Sequence, residues 1–396
     1  MPGEVTMCPV CGSDRTSRFL DRPSVVVHQN VVLADRAEAQ RFQRGALAMR
    51  CCERCGFVHN AAFNPSLPTY GADYDNRQTC SEVFQSHVND LADDMLNPLG
   101  VRNCRIVEVG CGDGEFLRKL VVDKSMGNVG YGFDPSYAGC KSDLDGRLQF
   151  VDSYYDHTCA DIKADVVVCR HVIEHVPDPL ALLRSVSSAL ADSAHARVFF
   201  ETPCVRWILI NQVVWDLFYE HCSLFSCESL TCAFELAGFA VDDVRHVFGG
   251  QYLWLQGHVA DEKVSRPHPG GGDMAELACA FSQAEERLCK RWGSQLRETA
   301  KVGPVALWGA AAKGATFASL VDPDCTYVDC LVDVNPAKQG KFLAGTGHLI
   351  VGPDALKPRR IRTVLILNPN YQSEIERTIA DAGLDLTIVD MMASME

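Results

Sequence analysis

The sequence has no hydrophobic run approaching the roughly 20 residues that a membrane-spanning helix needs. Its N-terminus, MPGEVTMCPVCG, has neither the basic flank nor the apolar core of a secretory signal. Positive charge is scarce as well, because 37 lysines and arginines stand against 51 aspartates and glutamates, giving a formal net charge of −14. These absences argue against a nucleic-acid binder or a membrane protein, and they predict a cytoplasmic location.

The unusual feature that is present is the number of cysteines, 19 in 396 residues. The hydrophobic share (47%) and the charged share (22%) are ordinary for a globular chain, and the length suggests two or three domains. A chain of this size with no visible export signal does not need disulfides to fold. We therefore expect some cysteines to bind a metal or take part in chemistry, and the others to fill the core.

Four of the cysteines form two CxxCG turns, Cys8/Cys11 and Cys52/Cys55. The spacing lets both thiolates of a turn face one ion, and the glycine that follows tolerates the tight backbone. Cys51 could compete as a ligand, but only Cys52 has the spacing of the turn. Four thiolates complete a tetrahedral shell, so the pattern predicts one structural Zn2+ with no open position for catalysis. Two coincidental pairs of core cysteines are the alternative, which the glycine shared by both turns disfavours.

The middle of the chain has the pattern of a parallel α/β sheet. A buried strand predicted at residues 105–110 runs into a glycine-rich turn at 110–114 and then into a helix. Further strands, predicted at 129–133, 148–151 and 165–169, are followed by Asp134, by Asp152 and by the stretch from Arg170 to Pro179. In an open parallel sheet, ligands bind beyond the carboxyl ends of the strands, so these residues are expected to face one crevice. An acid at the position of Asp134 can accept both ribose hydroxyls of a nucleotide.

These motifs resemble those of class I S-adenosylmethionine-dependent methyltransferases. The resemblance is carried by Glu108-Val-Gly-Cys-Gly-Asp-Gly, by Phe133-Asp134 and by the His-Val-Ile-Glu-His segment. It implies that the glycine turn lies under the methionine and ribose, that Asp134 holds the ribose hydroxyls and that Asp152 meets the adenine amino group. The cofactor-binding residues implied in this way are Glu108, Gly110, Gly112, Gly114, Phe133, Asp134, Asp152, Arg170 and His171. A dinucleotide is the poorer alternative, because the turn lacks the G-x-G-x-x-G spacing.

A second candidate site stands at Glu220-His221, beside Phe218 and Tyr219. A Glu-His pair next to aromatic residues can act as a general base with its electrostatic partner. The structural alternative is a histidine at a helix end, held by a backbone carbonyl.

The order of the segments extends the resemblance over nearly the whole chain. Zinc turns, a methyltransferase domain, an aromatic-x-Glu-His segment and a second α/β unit follow one another as in the zinc-containing sugar C-methyltransferases of the tetronitrose C-3 methyltransferase type. The second unit has a Gly-Ala-Ala-Ala-Lys-Gly loop ending at Gly314 and a Lys-Gln-Gly stretch at 338–340, both similar to stretches of the family. The predicted organisation is a zinc-binding module at 1–68, a Rossmann-like S-adenosylmethionine-binding domain at 69–262, a linker and long helix at 263–300, and a smaller Rossmann-like substrate-binding domain at 301–396.

The resemblance implies a C-methyltransferase of natural-product and antibiotic biosynthesis that acts on a keto-deoxysugar linked to thymidine diphosphate. S-adenosylmethionine would be the methyl donor and S-adenosylhomocysteine the product. Forming a carbon–carbon bond requires a carbanion, and therefore a base and a donor to the enolate oxygen. His221 is the predicted base, because histidine titrates near neutrality, and Glu220 would orient it or bind a substrate hydroxyl. The resemblance implies that His175 faces the sugar, and Tyr74, with Tyr70 as second choice, is the predicted donor.

The departures from the family fall on the substrate side. Phe218 stands where the family commonly has tyrosine, and a bulky stretch follows at 251–256. The residues predicted to bind the acceptor are Phe218, Tyr219, Lys313 and Lys341. The alternatives are an O-, N- or C-methyltransferase of a different natural product, a non-catalytic cofactor-binding module, and an NAD-dependent enzyme working through the C-terminal domain. We expect a monomer or weak dimer with a small-molecule substrate.

Overall fold

The computed structural model describes residues 6–69, 80–193, 196–260 and 270–393. The predicted enolate donors Tyr70 and Tyr74 lie outside these described residues. Among the residues that the structure describes, no helix is both long enough and apolar enough to cross a membrane.

The N-terminal part is a small antiparallel sheet. Its elements are β1 (Thr16–Val26), β2 (Val32–Leu33), α1 (Arg36–Gln40), β3 (Arg44–Cys52) and β4 (Val58–Asn60). β1 and β4 pair with the two edges of β3, both antiparallel. Leu47, Met49 and Cys51 of β3 are fully buried, because alternate residues of a strand share one face.

The central part is an eight-stranded sheet with helices on its faces. Its elements are α2 (Glu82–Leu96), β5 (Arg105–Val109), α3 (Glu115–Val121), β6 (Val129–Phe133), β7 (Ser142–Asp143), β8 (Leu148–Val151), β9 (Val166–Arg170), α4 (Pro179–Leu190), β10 (Arg197–Pro203), α5 (Val205–Ile210), β11 (Ser223–Leu224), α6 (Cys227–Leu236), β12 (Phe239–Val247) and β13 (Tyr252–Val259). The strand order is β12-β13-β10-β9-β5-β6-β8-β7. β5, β6, β8, β9 and β10 are parallel, whereas β13 runs antiparallel to both of its neighbours. β11 belongs to the N-terminal sheet, where it pairs with β4.

The sheet places the candidate site at the point where its strand order reverses. The chain moves from β5 outward through β6 to β8, and then returns to the other side of β5 as β9 and β10. Ligands of doubly wound sheets bind in the crevice at such a reversal, beyond the carboxyl ends of the strands. The glycine turn follows β5 and His171 follows β9, so both lie at this crevice.

The C-terminal part begins with a long helix and continues as a five-stranded parallel sheet. Its elements are α7 (Met274–Val302), β14 (Val305–Trp308), α8 (Ala312–Val321), β15 (Val328–Val332), β16 (Phe342–Leu343), β17 (Ile350–Val351), β18 (Thr363–Ile366), α9 (Gln372–Asp381) and β19 (Thr387–Asp390). The sheet order is β17-β15-β14-β18-β19. Short 3-10 helices lie at Lys124–Met126, Leu144–Gly146, Cys159–Asp161, Ile173–His175, Val214–Asp216, Pro353–Leu356 and Pro369–Tyr371. The strands and helices from β14 to β19 thus form an α/β unit with its own parallel sheet.

The three parts are joined by strand pairing as well as by side chains. β4 pairs with β11 of the central part, and β2 pairs with β16 of the C-terminal part. Arg22 on β1 is buried, and its Nε donates to Glu285 Oε1 of α7 at 2.7 Å. Its other nitrogens donate to the carbonyl oxygens of Leu217 and Val214, both at 2.6 Å. These contacts fix the segment that leads to His221 against the N-terminal sheet.

Candidate active site

The first cavity, of about 580 Å³, lies over the glycine turn after β5. Gly110 has φ 70°, and a Cβ there would come within 2.1 Å of Val172 Cγ2. Gly114 has φ 79° and a Cβ there would lie 2.4 Å from the ring of Phe150. Both positions therefore need glycine, for the backbone conformation and for the close approach. Residues 110–113 of the turn line the cavity.

Asp134, at the end of β6, faces the same cavity and is held in place by the turn. Its Oδ2 accepts from the backbone N–H of Gly112 at 2.9 Å, and its Oδ1 accepts from the Ser136 N–H at 2.8 Å. Carboxylate oxygens have room for further donors, so ribose hydroxyls can still bind here. Phe133, the preceding residue, also lines the cavity.

Glu108 lines the cavity from β5 and is fully buried. Its Oε2 accepts from the Leu117 N–H at 3.1 Å. Burial raises the pKa of this carboxyl from 4.5 to about 8. Glu108 therefore ties the turn to α3 and remains protonated near neutrality.

Asp152 does not face the cavity, contrary to the prediction that it meets the adenine. Its side chain is 61% exposed and pairs with Lys141 at the surface. Ser153, Tyr154 and Tyr155 line the cavity in its place. A residue that ends a strand can point to either side of the sheet, and the position of Asp152 in the sequence did not determine which.

A buried ionic network closes the end of this cavity. Glu201 on β10 is fully buried and accepts from Arg170 Nε at 2.9 Å and from His87 Nε2 at 2.5 Å. His171 lies between two carboxylates, with Nε2 3.3 Å from Glu201 Oε2 and Nδ1 3.4 Å from Glu174 Oε1. Burial lowers the pKa of His171, but the two carboxylates outweigh this effect and raise it to about 9. The network fixes Arg170 and His171, the two predicted cofactor-side residues of β9 and the loop after it.

The second cavity, of about 260 Å³, adjoins the first. His171 and His175 line both cavities, so the two spaces meet at these rings. Side chains of the central and C-terminal parts line the second cavity, with Asn30 from the N-terminal part. A group transferred from a molecule in the first cavity to one in the second would pass between His171 and His175.

His221 lines the second cavity and has a buried Nδ1 that makes no hydrogen bond. Its ring lies 4.1 Å from the ring of Phe218 and 4.9 Å from the ring of His175. Burial, together with the nearby cationic groups, lowers the pKa of His221 well below its usual 6.5. The imidazole is therefore neutral at pH 7 and can accept a proton.

Glu220 does not contact His221 through a hydrogen bond, although it lines the same cavity. Its Oε1 lies 2.9 Å from His28 Nδ1 and its Oε2 accepts from the Gln29 N–H at 2.8 Å. His28 Nε2 in turn accepts from the Thr69 N–H at 2.9 Å, so His28 carries its proton on Nδ1 and donates to Glu220. Both carboxylate oxygens are engaged by the N-terminal part, which makes Glu220 a residue that positions its neighbour through the backbone.

The two aromatic residues before Glu220 point in different directions. Phe218, predicted to bind the acceptor, lines the second cavity. Tyr219 is fully buried away from it, and its hydroxyl accepts from the Asn64 N–H at 2.8 Å. Tyr252 and Tyr371 supply phenols to the cavity instead. Sequence reasoning missed both, because they come from β13 and from the start of α9.

The two lysines predicted to bind the acceptor, Lys313 and Lys341, lie in different environments. Lys313 lines the second cavity and pairs with Asp216. Lys341 is exposed, and Lys338 of the same Lys-Gln-Gly stretch faces the cavity. Lys338 Nζ lies 3.8 Å from Asp333 Oδ2 and donates to the Ala310 carbonyl at 3.2 Å. The chain turns between the two lysines, so only the first points inward.

The four cysteines of the CxxCG turns converge at the N-terminal part. Their sulfur atoms all lie within 4.8 Å of one another, with 3.7 Å between Cys8 and Cys55 and 3.5 Å between Cys11 and Cys52. A tetrahedral Zn2+ with Zn–S bonds of about 2.3 Å requires sulfur separations of roughly 3.8 Å. The cluster therefore fits a zinc ion held by four thiolates, and Cys51 is not part of it.

Two family models match the chain. One is a methyltransferase domain over residues 77–244, and the other is a C-methyltransferase C-terminal domain over residues 271–385. The chain thus carries the domains of a methyltransferase, with the first matching the central part and the second the C-terminal part.

Curated relatives match a shorter stretch. The ubiquinone biosynthesis O-methyltransferase of Vibrio campbellii is 30% identical over 108 residues, which are 26% of this chain and 45% of that protein. The enzyme of the same name from Ralstonia nicotianae is 32% identical over 109 residues, 25% of this chain and 42% of that protein. The chain thus spans less than half the length of the curated relatives that it matches.

Solved structures overlap with the chain over less than half of its length. The 1,6-didemethyltoxoflavin-N1-methyltransferase of Burkholderia thailandensis is 14% identical, covers 46% of this chain and 82% of that chain, and has a TM-score of 0.34. The N,N-8-amino-8-demethyl-D-riboflavin dimethyltransferase of Streptomyces davawensis is 19% identical, covers 45% and 55%, and has a TM-score of 0.36. The family model over residues 77–244 identifies the central part as a methyltransferase domain.

Proposed function

We propose that the chain is an S-adenosylmethionine-dependent C-methyltransferase that removes a proton next to a ketone and transfers a methyl group to that carbon. The observation that carries the proposal is the meeting of two cavities at His171 and His175, one lined by the glycine turn and the other by His221, whose buried Nδ1 has no hydrogen-bond partner. The C-methyltransferase C-terminal domain that matches residues 271–385 supports methylation at carbon.

The first cavity is proposed to hold S-adenosylmethionine. Gly110, Gly112 and Gly114 would lie under its methionine and ribose, and Asp134 would accept the ribose hydroxyls. Tyr154 and Tyr155, which line the cavity after β8, are placed to contact the adenine in the role first predicted for Asp152. When bound, the cofactor supplies an electrophilic methyl group, and positioning of the acceptor provides much of the rate.

His221 is proposed to take the proton from the acceptor. A neutral imidazole with one unpaired nitrogen can accept a proton without first losing a hydrogen bond. His175 packs against it and lines both cavities, so it is placed beside the path of the methyl group.

Tyr252 is proposed to donate a hydrogen bond to the enolate oxygen. Its ring packs edge-on against His171 at 4.6 Å, and it lines the second cavity. Burial raises the pKa of its hydroxyl well above 10, so the phenol keeps its proton and remains a donor. Among the described residues it takes the role that sequence reasoning gave to Tyr74 or Tyr70.

The acceptor is proposed to be a nucleotide-linked keto-deoxysugar of natural-product biosynthesis. The C-terminal part brings Lys313 and Lys338 to the second cavity, where a diphosphate could replace their present carboxylate partners Asp216 and Asp333. Phe218 would pack against the deoxysugar ring. The structural zinc is proposed to bind the four-cysteine cluster, whose residues do not line either cavity.

O-methylation of a different small molecule is the second candidate. It is favoured by one observation, that the curated relatives matching about a quarter of the chain are named O-methyltransferases. The same histidine would then remove a proton from a hydroxyl group.

Proton exchange separates the two candidates. Incubation with a keto-deoxysugar nucleotide in deuterated buffer, with S-adenosylhomocysteine present, should incorporate deuterium next to the ketone, as followed by NMR. His221→Asn should slow exchange by about 100-fold or more while S-adenosylhomocysteine affinity persists, because only the base is lost. His258→Asn, an exposed histidine paired with Asp242, is the matched control and should exchange normally. Unchanged exchange in His221→Asn would refute the assignment of the base.

A further inference from the structure

Three side chains that meet at the junction of the two cavities have the geometry of a metal site. Glu174, His175 and His221 each present a ligand atom, and these atoms all lie within 4.8 Å of one another. Glu174 and His175 come from the 3-10 helix that follows β9, whereas His221 comes from the segment before β11. The site is thus assembled from two segments that the sequence separates by more than forty residues.

Two polar atoms of these side chains are buried without hydrogen-bond partners. Glu174 is fully buried, and its Oε2 accepts from Thr202 Oγ1 at 3.0 Å. Its Oε1 makes no hydrogen bond, and neither does Nδ1 of His221. Buried polar atoms nearly always have hydrogen-bond partners. His221 Nδ1 has none, and Glu174 Oε1 has only its ion pair with His171 at 3.4 Å, so both atoms are available to a cation.

We propose that Glu174, His175 and His221 bind a divalent first-row transition ion of the Zn2+ or Co2+ type, separate from the cysteine cluster. Two imidazoles and one carboxylate are a ligand set that such ions favour. Three protein ligands leave coordination positions open for water or for a carbonyl oxygen of the acceptor. His171 Nδ1 lies 3.4 Å from Glu174 Oε1. Protonated His171 therefore competes with the ion for this carboxylate and limits the affinity for the ion.

The ion at this site opposes the reaction. Coordination uses the lone pair of His221 that the proposed deprotonation needs, so an occupied site has no free base. This consequence rests on the proposed function, whereas the binding of the ion does not. Free transition-metal ions are therefore expected to inhibit the enzyme by coordinating His221.

Binding is measured with Co2+ on the full chain after its cysteine site has been filled with Zn2+. One further equivalent of Co2+ should bind by calorimetry, with visible d–d absorption and without the sulfur-to-cobalt charge-transfer bands of a thiolate site. Glu174→Gln and His221→Asn should each weaken this binding by more than the about 10–100-fold that loss of an outer-shell partner costs. His258→Asn should leave it unchanged.

Fold and function are controlled separately. S-adenosylhomocysteine affinity and the melting temperature show whether Glu174→Gln and His221→Asn are folded. The Co2+ test needs only one of these two variants to be folded. Saturating Co2+ should also slow deuterium exchange into the acceptor by roughly 100-fold, the size of a general-base contribution. Absence of the further Co2+ equivalent, or its persistence in a folded variant, would overturn the metal site. Binding of Co2+ by a protein that catalyses no exchange would leave the site in place and refute the proposed function.

Discussion

Two aspartates at the ends of neighbouring strands, Asp134 and Asp152, differ in the direction of their carboxylates. Asp134 faces the first cavity and Asp152 faces solvent. Asp134→Ala should weaken S-adenosylhomocysteine binding by about 10–100-fold, the cost of losing hydrogen bonds to a charged group. Asp152→Ala, the matched control, should change it by less than about twofold, because exposed pairs contribute little. Calorimetric titration measures both, and equal losses would place the ribose elsewhere.

A buried carboxyl under the glycine turn gives the folded protein a dependence on pH. The pKa of Glu108 is raised from 4.5 to about 8 by burial. Between these values the unfolded chain is ionised and the folded chain keeps its proton, so the free energy of unfolding falls by up to about 1.4 kcal/mol per pH unit. Below pH 4.5 and above about pH 8, Glu108 has the same charge in the folded and unfolded chain, so it does not change the free energy of unfolding with pH. Glu108→Gln should flatten the dependence, as measured by urea unfolding across that range.

At the scale of elements, Arg22 connects β1, α7 and the segment before the proposed base. It donates to one carboxylate and two carbonyl groups, and it is buried. Arg22→Gln should lower the free energy of unfolding by about 3–5 kcal/mol, because the partners stay buried without a donor. Arg15→Gln removes an exposed pair with Glu53 and should cost less than about 1 kcal/mol. Denaturant unfolding compares the two, and similar losses would contradict the role of Arg22.

The elements that sequence reasoning recovered are those with strong local patterns. The strands at 129–133 and 148–151 begin and end where predicted, because each is a short, mostly apolar run before an aspartate. Tyr252, Tyr371 and Lys338 were missed as cavity residues. Tyr371 and Lys338 reach it through the docking of the C-terminal part, and Tyr252 through the pairing of β13 with β10 in the central sheet. No periodicity within a segment encodes either contact.

At the scale of the whole molecule, the four-cysteine cluster holds the first CxxCG turn, with Cys8 and Cys11, against the second turn at the end of β3. Metal analysis should find about one zinc per chain, and Cys8→Ser should lower this content and the melting temperature, because structural zinc contributes directly to folding. Cys279→Ser, at an exposed position on α7, is the matched control and should change neither. A protein that keeps its zinc in Cys8→Ser would exclude this ligand set.

The N-terminal sheet has a consequence for the order of events during synthesis. Its β4 can pair only after β11 (residues 223–224) has been synthesised, and β2 only after β16 (residues 342–343). The N-terminal sheet is synthesised before these partner strands and is therefore among the last parts of the fold to be completed. Until then its unpaired strand edges must be shielded from other chains. Truncation after the central sheet would leave β2 without a partner, so the acceptor cavity and the N-terminal fold are expected to be gained or lost together.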